Sequence, residues 1–158
     1  MRVLQLFLTI LLAGCAAIPG PAQPAPLATQ ADACPATEAA RLTPPDDEAV
    51  ANEPMEGAYI VNEDSSIWAM AWWTEDAQYP LRAGEDGNKV GWFRPAGIDL
   101  EITGRRLDAQ APALEARVPC CYLTRFQSTG LYFPAEGCWE ITARAGESRL
   151  TFMAPVEP

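Results

Sequence analysis

The five cysteines are the residues of this chain with the most evident chemistry, and their positions separate them into two kinds. Cys15 stands near the amino terminus, between an apolar stretch and a proline-rich one. The others are Cys34, Cys138 and the adjacent pair Cys120 and Cys121. A thiol can be acylated, oxidised to a disulfide or bound to a soft metal ion. The sequence around each cysteine indicates which of these reactions to expect.

Residues 1–14 have the features of an export signal. A charged start precedes ten residues that are apolar except for two, a stretch too short to span the core of a bilayer. The sequence LAGC at 12–15 resembles the lipobox of bacterial lipoproteins. The resemblance implies that the thiol of Cys15 carries fatty acyl groups such as palmitate and that cleavage makes Cys15 the mature N-terminus. The alternative is an ordinary secreted protein, cut near residue 13 or 17.

The segment that follows is interpreted as the lipidated cysteine and its tether, residues 15–33. Residues 16–33 are rich in proline, alanine and glutamine, and in a polyproline conformation they would reach at most about 56 Å. More than one acyl chain is needed for stable attachment, because each buried CH₂ contributes only about 0.8 kcal/mol. We therefore expect a lipid-anchored protein on the exported side of the cell membrane or the outer membrane.

Composition excludes several function classes. A formal net charge of −10 argues against nucleic-acid partners. The chain contains no histidine, which excludes Ser-His-Asp and Cys-His catalysis and the common zinc sites. It also lacks a glycine-rich phosphate loop and a dinucleotide motif. The sequence thus predicts no enzyme, no catalytic residue, no metal site and no cofactor; the expected partners are the membrane and an envelope protein or a glycan.

Residues 34–158 are predicted to form one β-sandwich domain that opens with an extended acidic segment. Nine of the 21 acidic residues lie between residues 32 and 64, among several prolines, which is typical of a solvated extended segment. From residue 57 onward, short β-rich runs alternate with turn residues. The clearest runs cover residues 67–73, 89–94, 99–103, 114–118 and 127–133.

The last third of the chain predicts a β-hairpin. Trp139, Ile141 and Ala143 alternate with polar residues before Gly146, and Leu150 and Phe152 alternate after it. About seven or eight strands at this spacing predict an all-β, immunoglobulin-like antiparallel β-sandwich. A small β-barrel is the alternative.

A second resemblance lies in the same region. GRRLD at 104–108, FQSTGLYFPAEGCWEIT at 126–142 and LTF at 150–152 are similar to a group of small uncharacterised bacterial secreted proteins and lipoproteins. Domains of that group open with a Cys-Pro pair and close with a Phe-Pro-x-x-Gly-Cys-Trp-Glu hairpin. The resemblance implies an immunoglobulin-like fold and a disulfide between Cys34 and Cys138, and it carries no known activity.

Strand parity supports that pairing independently. Cys138 shares a strand face with Glu140, opposite Trp139, so we expect Cys138 to point away from the core. A segment crossing the outer face could reach it there, and the acidic segment is such a segment.

Cys120 and Cys121 have no counterpart in that group. Adjacent Cα atoms are about 3.8 Å apart, below the usual disulfide window of about 4.4 to 6.8 Å, so a bridge between them would be strained and easily reduced. One interpretation is a redox-sensing dithiol or a carrier of a soft metal ion such as Cu(I). The others are two free thiols on opposite faces of a strand edge, or a bridge from one of them to Cys34 or Cys138.

The same domain carries three weaker candidates. Glu136 and Glu140 could form a carboxylate pair, although 21 acidic residues supply such pairs by chance. Arg105 and Arg106, before Asp108, could bind an anion or form a local ion pair. An aromatic platform for a glycan or peptide, or else core packing, could use Trp72, Trp73, Trp92, Tyr59, Tyr79 and Tyr132.

Overall fold

The computed structural model describes residues 34–45, 56–76 and 78–158. These ranges contain one helix, the 3-10 turn Trp72–Thr74, and no helix there has the length and apolar character needed to cross a membrane. The rest of the regular structure is β. The strands are β1 (Ala40–Leu42), β2 (Gly57–Val61), β3 (Trp68–Met70), β4 (Leu81–Arg82), β5 (Asn88–Phe93), β6 (Glu101–Arg106), β7 (Glu115–Arg117), β8 (Phe126–Tyr132), β9 (Gly137–Ala145) and β10 (Ser148–Glu157).

The strands form two sheets that pack as a sandwich. One sheet has the order β1-β2-β3-β5-β8-β7, and the other has the order β4-β10-β9-β6. The predicted all-β sandwich is confirmed. Ten strands occur in the described ranges instead of about seven or eight, because β1 and β4 contain only three and two residues and show no alternation in the sequence. β10 pairs in parallel with β4, so the smaller sheet is mixed.

Alternating residues of both sheets form the core. The three inner residues predicted for β9, Trp139, Ile141 and Ala143, are fully buried, and Leu150 and Phe152 of β10 are almost so. The hairpin is confirmed as well, because Ala145 pairs with Ser148 across a turn that contains Gly146 at φ 60°. The six-stranded sheet contributes Ile60, Ala69, Val90, Trp92 and Leu131 to the same core.

The apolar run at 67–73 is only partly a strand. β3 ends at Met70, and the 3-10 turn that follows places Trp73 in a stacked contact with Phe152 at 6.0 Å. The predicted strand was therefore too long, because an all-apolar run carries no periodicity that marks its end. The predicted burial is correct at Ala69, which faces the core, but Trp68 on the outer face packs against Tyr59 and stays partly exposed.

Residues 34–45 are bonded to both sheets. Thr37 donates its backbone N–H to the Met153 carbonyl at 2.8 Å and accepts a hydrogen bond at Oγ1 from the Met153 N–H at 2.9 Å. β4 pairs only with the last residues of β10. Thr37 therefore hydrogen-bonds backbone groups of Met153 on an edge of β10 that β4 does not reach. Further along, β1 pairs with β2. This part of the acidic segment is extended, as expected, but it is attached to the sandwich instead of lying free in solvent.

Candidate functional site

Cys120 and Cys121 lie in the loop between β7 and β8, at the edge of the six-stranded sheet. A disulfide joins them to each other, and their Cα atoms are 3.7 Å apart. Both residues are exposed. Cys121 has a φ of 75°, in the left-handed region that residues with a side chain rarely adopt. The pair thus forms an exposed turn with a disfavoured backbone conformation.

This arrangement differs from two of the three interpretations drawn from the sequence. β7 ends at Arg117 and Pro119 follows, so the two cysteines lie in a loop and do not alternate between the faces of a strand. Neither is bridged to a distant cysteine, because Cys34 and Cys138 are bonded to each other. The bond joins the two adjacent cysteines, which is the pairing that the redox interpretation requires.

Two buried side chains hold the loop on either side of the cysteine pair. Gln127 Nε2 donates to the Pro119 carbonyl at 2.6 Å, and Arg94 Nη2 donates to the Tyr122 carbonyl at 2.9 Å. Arg94 Nε also donates to Gln127 Oε1 at 2.8 Å, which links the two anchors. The carbonyl before Cys120 and the carbonyl after Cys121 are therefore fixed to one polar network, the Arg94–Gln127 network.

Arg94 is 1% exposed although its guanidinium is charged. Such burial is costly unless the N–H groups are hydrogen-bonded. Besides the contacts above, its Nη1 donates to the Pro95 carbonyl at 2.7 Å. The sequence predicted Arg94 only as the end of one strand and Gln127 only as the start of another. Their importance was missed because their partners are backbone carbonyls and a side chain 33 positions away, which leave no pattern in a sequence.

The surroundings of the second cysteine pair indicate a structural role. Cys34 and Cys138 form a disulfide with Cα atoms 5.2 Å apart. Cys138 is 3% exposed and follows Gly137 on β9, whereas its neighbour Trp139 belongs to the core between the sheets. The structure has the pairing that the resemblance implies, and Cys138 lies outside the core cluster, as strand parity predicts.

Two of the quoted segments meet on neighbouring strands. GRRLD contains the end of β6, FPAEGCWE contains the start of β9, and these strands pair. The backbone N–H of Leu107 donates to the Cys138 carbonyl at 2.7 Å. Arg105 Nε donates to Glu140 Oε1 at 2.8 Å across the two strands. GRRLD is thus bonded to β9 at Cys138, one end of the Cys34–Cys138 disulfide, and at Glu140.

Gly137 is required where these motifs meet. Arg106 Nε donates to Asp108 Oδ1 at 2.7 Å, and a Cβ on residue 137 would collide with both of these atoms. Gly137 also has a φ of 132°, a value that side-chain-bearing residues avoid. Only glycine allows the Arg106–Asp108 pair to lie this close to β9.

The arginines of GRRLD form ion pairs. The hydrogen bond from Arg106 holds the pKa of the Asp108 carboxyl below its usual value, and the one from Arg105 does the same to the pKa of Glu140. A neighbouring arginine thus favours the ionised form of each of these carboxyls. The local ion pair is the alternative that the structure supports for Arg105 and Arg106.

The six aromatic candidates do not form one platform. Trp92 is buried in the core and donates its Nε1–H to Thr129 Oγ1 at 2.9 Å. Tyr132 lies under the guanidinium of Arg117, 4.0 Å from ring centroid to Cζ. Trp72 and Trp73 contact each other edge to face and pack against the core. Tyr59 is buried beside Trp68 and Phe93, and Tyr79 is 64% exposed.

The lipidation candidate, Cys15, and residues 16–33 lie outside the described residues. Comparison of the chain with protein families, with curated proteins and with solved structures found no match.

Proposed function

We propose that this is a lipid-anchored cell-envelope protein that displays a non-catalytic β-sandwich as a binding or structural module. Its place is the exported side of the cell membrane or the outer membrane. The observation that carries the proposal is LAGC at 12–15, which follows a short apolar segment and ends in Cys15. Two or more acyl chains on that thiol, palmitate among them, would hold the chain stably at a bilayer.

The sandwich suits attachment through its amino-terminal side. Its first described residue, Cys34, is covalently bonded to Cys138. A tether that ends at Cys34 would therefore be attached to the sandwich by a disulfide. Disulfides of this kind persist in exported compartments and are rare in the cytosol. The formal net charge of −10 also disfavours contact between the domain and anionic headgroups.

The non-catalytic part of the proposal rests on the sequence, which contains no histidine and none of the phosphate or dinucleotide motifs. A partner would be an envelope protein or a glycan. Nucleic acid is disfavoured by the same net charge.

Cys15→Ser is expected to move the protein from the membrane fraction to the soluble fraction of its native host, because the acylated thiol is its attachment. Intact-mass spectrometry of the unchanged protein should show a chain that begins at Cys15 and carries fatty acyl groups. Ala16→Ser, which leaves the thiol in place, is the matched control and should stay with the membrane. An unmodified Cys15 in the native protein would contradict the proposal.

A second candidate function is thiol redox exchange at Cys120 and Cys121, or carriage of a soft metal ion such as Cu(I) by the reduced pair. The observation that favours it is an exposed bond between adjacent cysteines on a loop that buried side chains hold in place. Disulfide exchange requires that a thiolate reach a sulfur atom, and exposure of both residues allows this.

Mild reduction of the protein carrying Cys15→Ser is expected to release two titratable thiols, from Cys120 and Cys121. The bond from Cys34 to Cys138 should survive, because Cys138 is 3% exposed. Alkylation followed by peptide mapping gives the readout, and adding Cys120→Ser with Cys121→Ser should remove both thiols. Reduction of the Cys34–Cys138 bond first, or an unreactive vicinal pair, would exclude the redox candidate.

A further inference from the structure

We propose that the Cys120–Cys121 bond is a two-electron switch that sets the backbone conformation of the loop between β7 and β8. In the oxidised state the carbonyls of Pro119 and Tyr122 accept hydrogen bonds from the Arg94–Gln127 network. In the reduced state the Tyr122 carbonyl no longer accepts its hydrogen bond from Arg94. The inference rests on the redox candidate above and names what that redox change controls.

The first observation is that the loop is fixed immediately outside the cysteine pair on both sides. Gln127 holds the Pro119 carbonyl, and Arg94 holds the Tyr122 carbonyl. Both anchoring residues are almost fully buried, Gln127 at 2% and Arg94 at 1% exposure, and they are bonded to each other. A change in the backbone torsion angles between Cys120 and Cys121 would therefore move the neighbouring backbone only if one of these hydrogen bonds breaks.

The second observation is the backbone of Cys121. Its φ of 75° lies in the left-handed region, which is disfavoured for a residue that has a Cβ, because the Cβ comes too close to the carbonyl oxygen of an adjoining peptide unit. A bond between adjacent side chains closes a small ring that includes the peptide between them, and this ring restricts the conformations open to Cys121. Once the bond is broken, Cys121 is free to return to a negative φ, which turns the Tyr122 carbonyl away from Arg94.

The electrons for this reaction come from a dithiol reductant on the exported side of the membrane. A thiolate of the reductant attacks one sulfur of the pair, forms a mixed disulfide and releases the other cysteine as a thiolate. The second thiol of the reductant then resolves the mixed disulfide. The protein gains two electrons and two protons, and the reductant leaves as a disulfide.

Reduction would change the surface next to the pair. Leu123 is 83% exposed, follows the anchored Tyr122 directly and precedes β8 by three residues. After release of Tyr122, Leu123 is no longer held at its position on the loop. The cationic side chain of Arg94 keeps the backbone carbonyl of Pro95 and the side-chain oxygen Oε1 of Gln127 as acceptors, so the core below the loop need not open.

The test compares hydrogen exchange of the Arg94 guanidinium N–H groups in the oxidised and reduced protein carrying Cys15→Ser. We expect exchange to become about tenfold faster on reduction, because Arg94 Nη2 loses its charge-assisted hydrogen bond to the Tyr122 carbonyl. Amides of β9 and β10 should exchange at unchanged rates. The ¹⁵Nη–¹H signals of Arg94 should shift at the same time, since Nη2 loses the Tyr122 carbonyl as its acceptor.

Two variants separate the backbone effect from the loss of sulfur. Cys120→Ser with Cys121→Ser should exchange as the reduced protein does. Cys120→Ser with Cys121→Gly should remain within about twofold of the oxidised protein, because glycine adopts a positive φ readily. A glycine variant as fast as the serine variant would overturn the role given to Cys121.

The proposal also fails if the thiols titrate normally while exchange and the Arg94 signal stay the same in both states; in that case the redox candidate survives without the switch. If peptide mapping of the oxidised protein finds no bond between Cys120 and Cys121, both the switch and the redox candidate fall.

Discussion

Replacing both Cys34 and Cys138 by alanine is expected to lower the free energy of unfolding by about 2 to 5 kcal/mol. The bond closes a loop between residues 104 positions apart, so its loss restores much conformational freedom to the unfolded chain. The folded state loses as well, because the contacts between Thr37 and Met153 depend on an amino-terminal segment that is fixed at Cys34. Urea denaturation followed by tryptophan fluorescence measures the change.

The other disulfide provides the matched control. Cys120→Ser with Cys121→Ser removes a bond between neighbouring residues, which closes almost no loop, so the free energy of unfolding should change by less than about 1 kcal/mol. Comparable losses in the two double variants would contradict the assignment of Cys34–Cys138 as the bond that stabilises the sandwich.

Trp139→Ala is expected to lower the free energy of unfolding by about 3 to 5 kcal/mol, the range for truncating a fully buried aromatic side chain. Trp139 is 0% exposed and contacts Phe133 edge to face, with ring centroids 5.3 Å apart. Its indole Nε1 donates to the Ala135 carbonyl at 3.0 Å, so truncation also leaves that carbonyl without this donor. Thermal and urea denaturation report the loss.

Two further substitutions separate the contributions to the stability loss expected for Trp139→Ala. Trp139→Phe keeps an aromatic ring against Phe133 and removes the hydrogen bond to Ala135, so we expect a smaller loss of about 1 to 2 kcal/mol. Trp68→Ala alters an aromatic residue on the partly exposed outer face of β3 and should cost less than Trp139→Ala. An equal effect at both tryptophans would show that Trp139 does not hold the centre of the core.

The strands that the sequence predicted best are those with one face buried and one solvated. In β6 and β9 the alternation of apolar and polar residues indicates the strand and its inner face, because a strand has a period of two. The bounds are less well predicted, since β6 covers Glu101–Arg106 and not residues 99–103. The length of β3 could not be predicted in this way, since every residue from 67 to 73 is apolar. The attachment of Thr37 to Met153 also left no pattern, because it uses backbone groups and one hydroxyl.

The features of the candidate site likewise divide into those that the sequence shows and those that only the structure shows. That Cys120 and Cys121 are adjacent, and can therefore react as a pair, is a property of the sequence alone. Their position in an exposed loop, the positive φ of Cys121 and the anchoring by Arg94 and Gln127 are not.

The sequence by itself determined the all-β class, the hairpin of β9 and β10 with its inner face, and the outward direction of Cys138, because each follows from the alternation of neighbouring residues. Only the tertiary structure decided the order of the strands, the close fit of the Arg106–Asp108 pair over Gly137 and the burial of Arg94 beneath the cysteine loop. The physical reason is distance along the chain. These features join residues that the fold brings together, and many of the groups that join them are backbone atoms, which are the same in every residue.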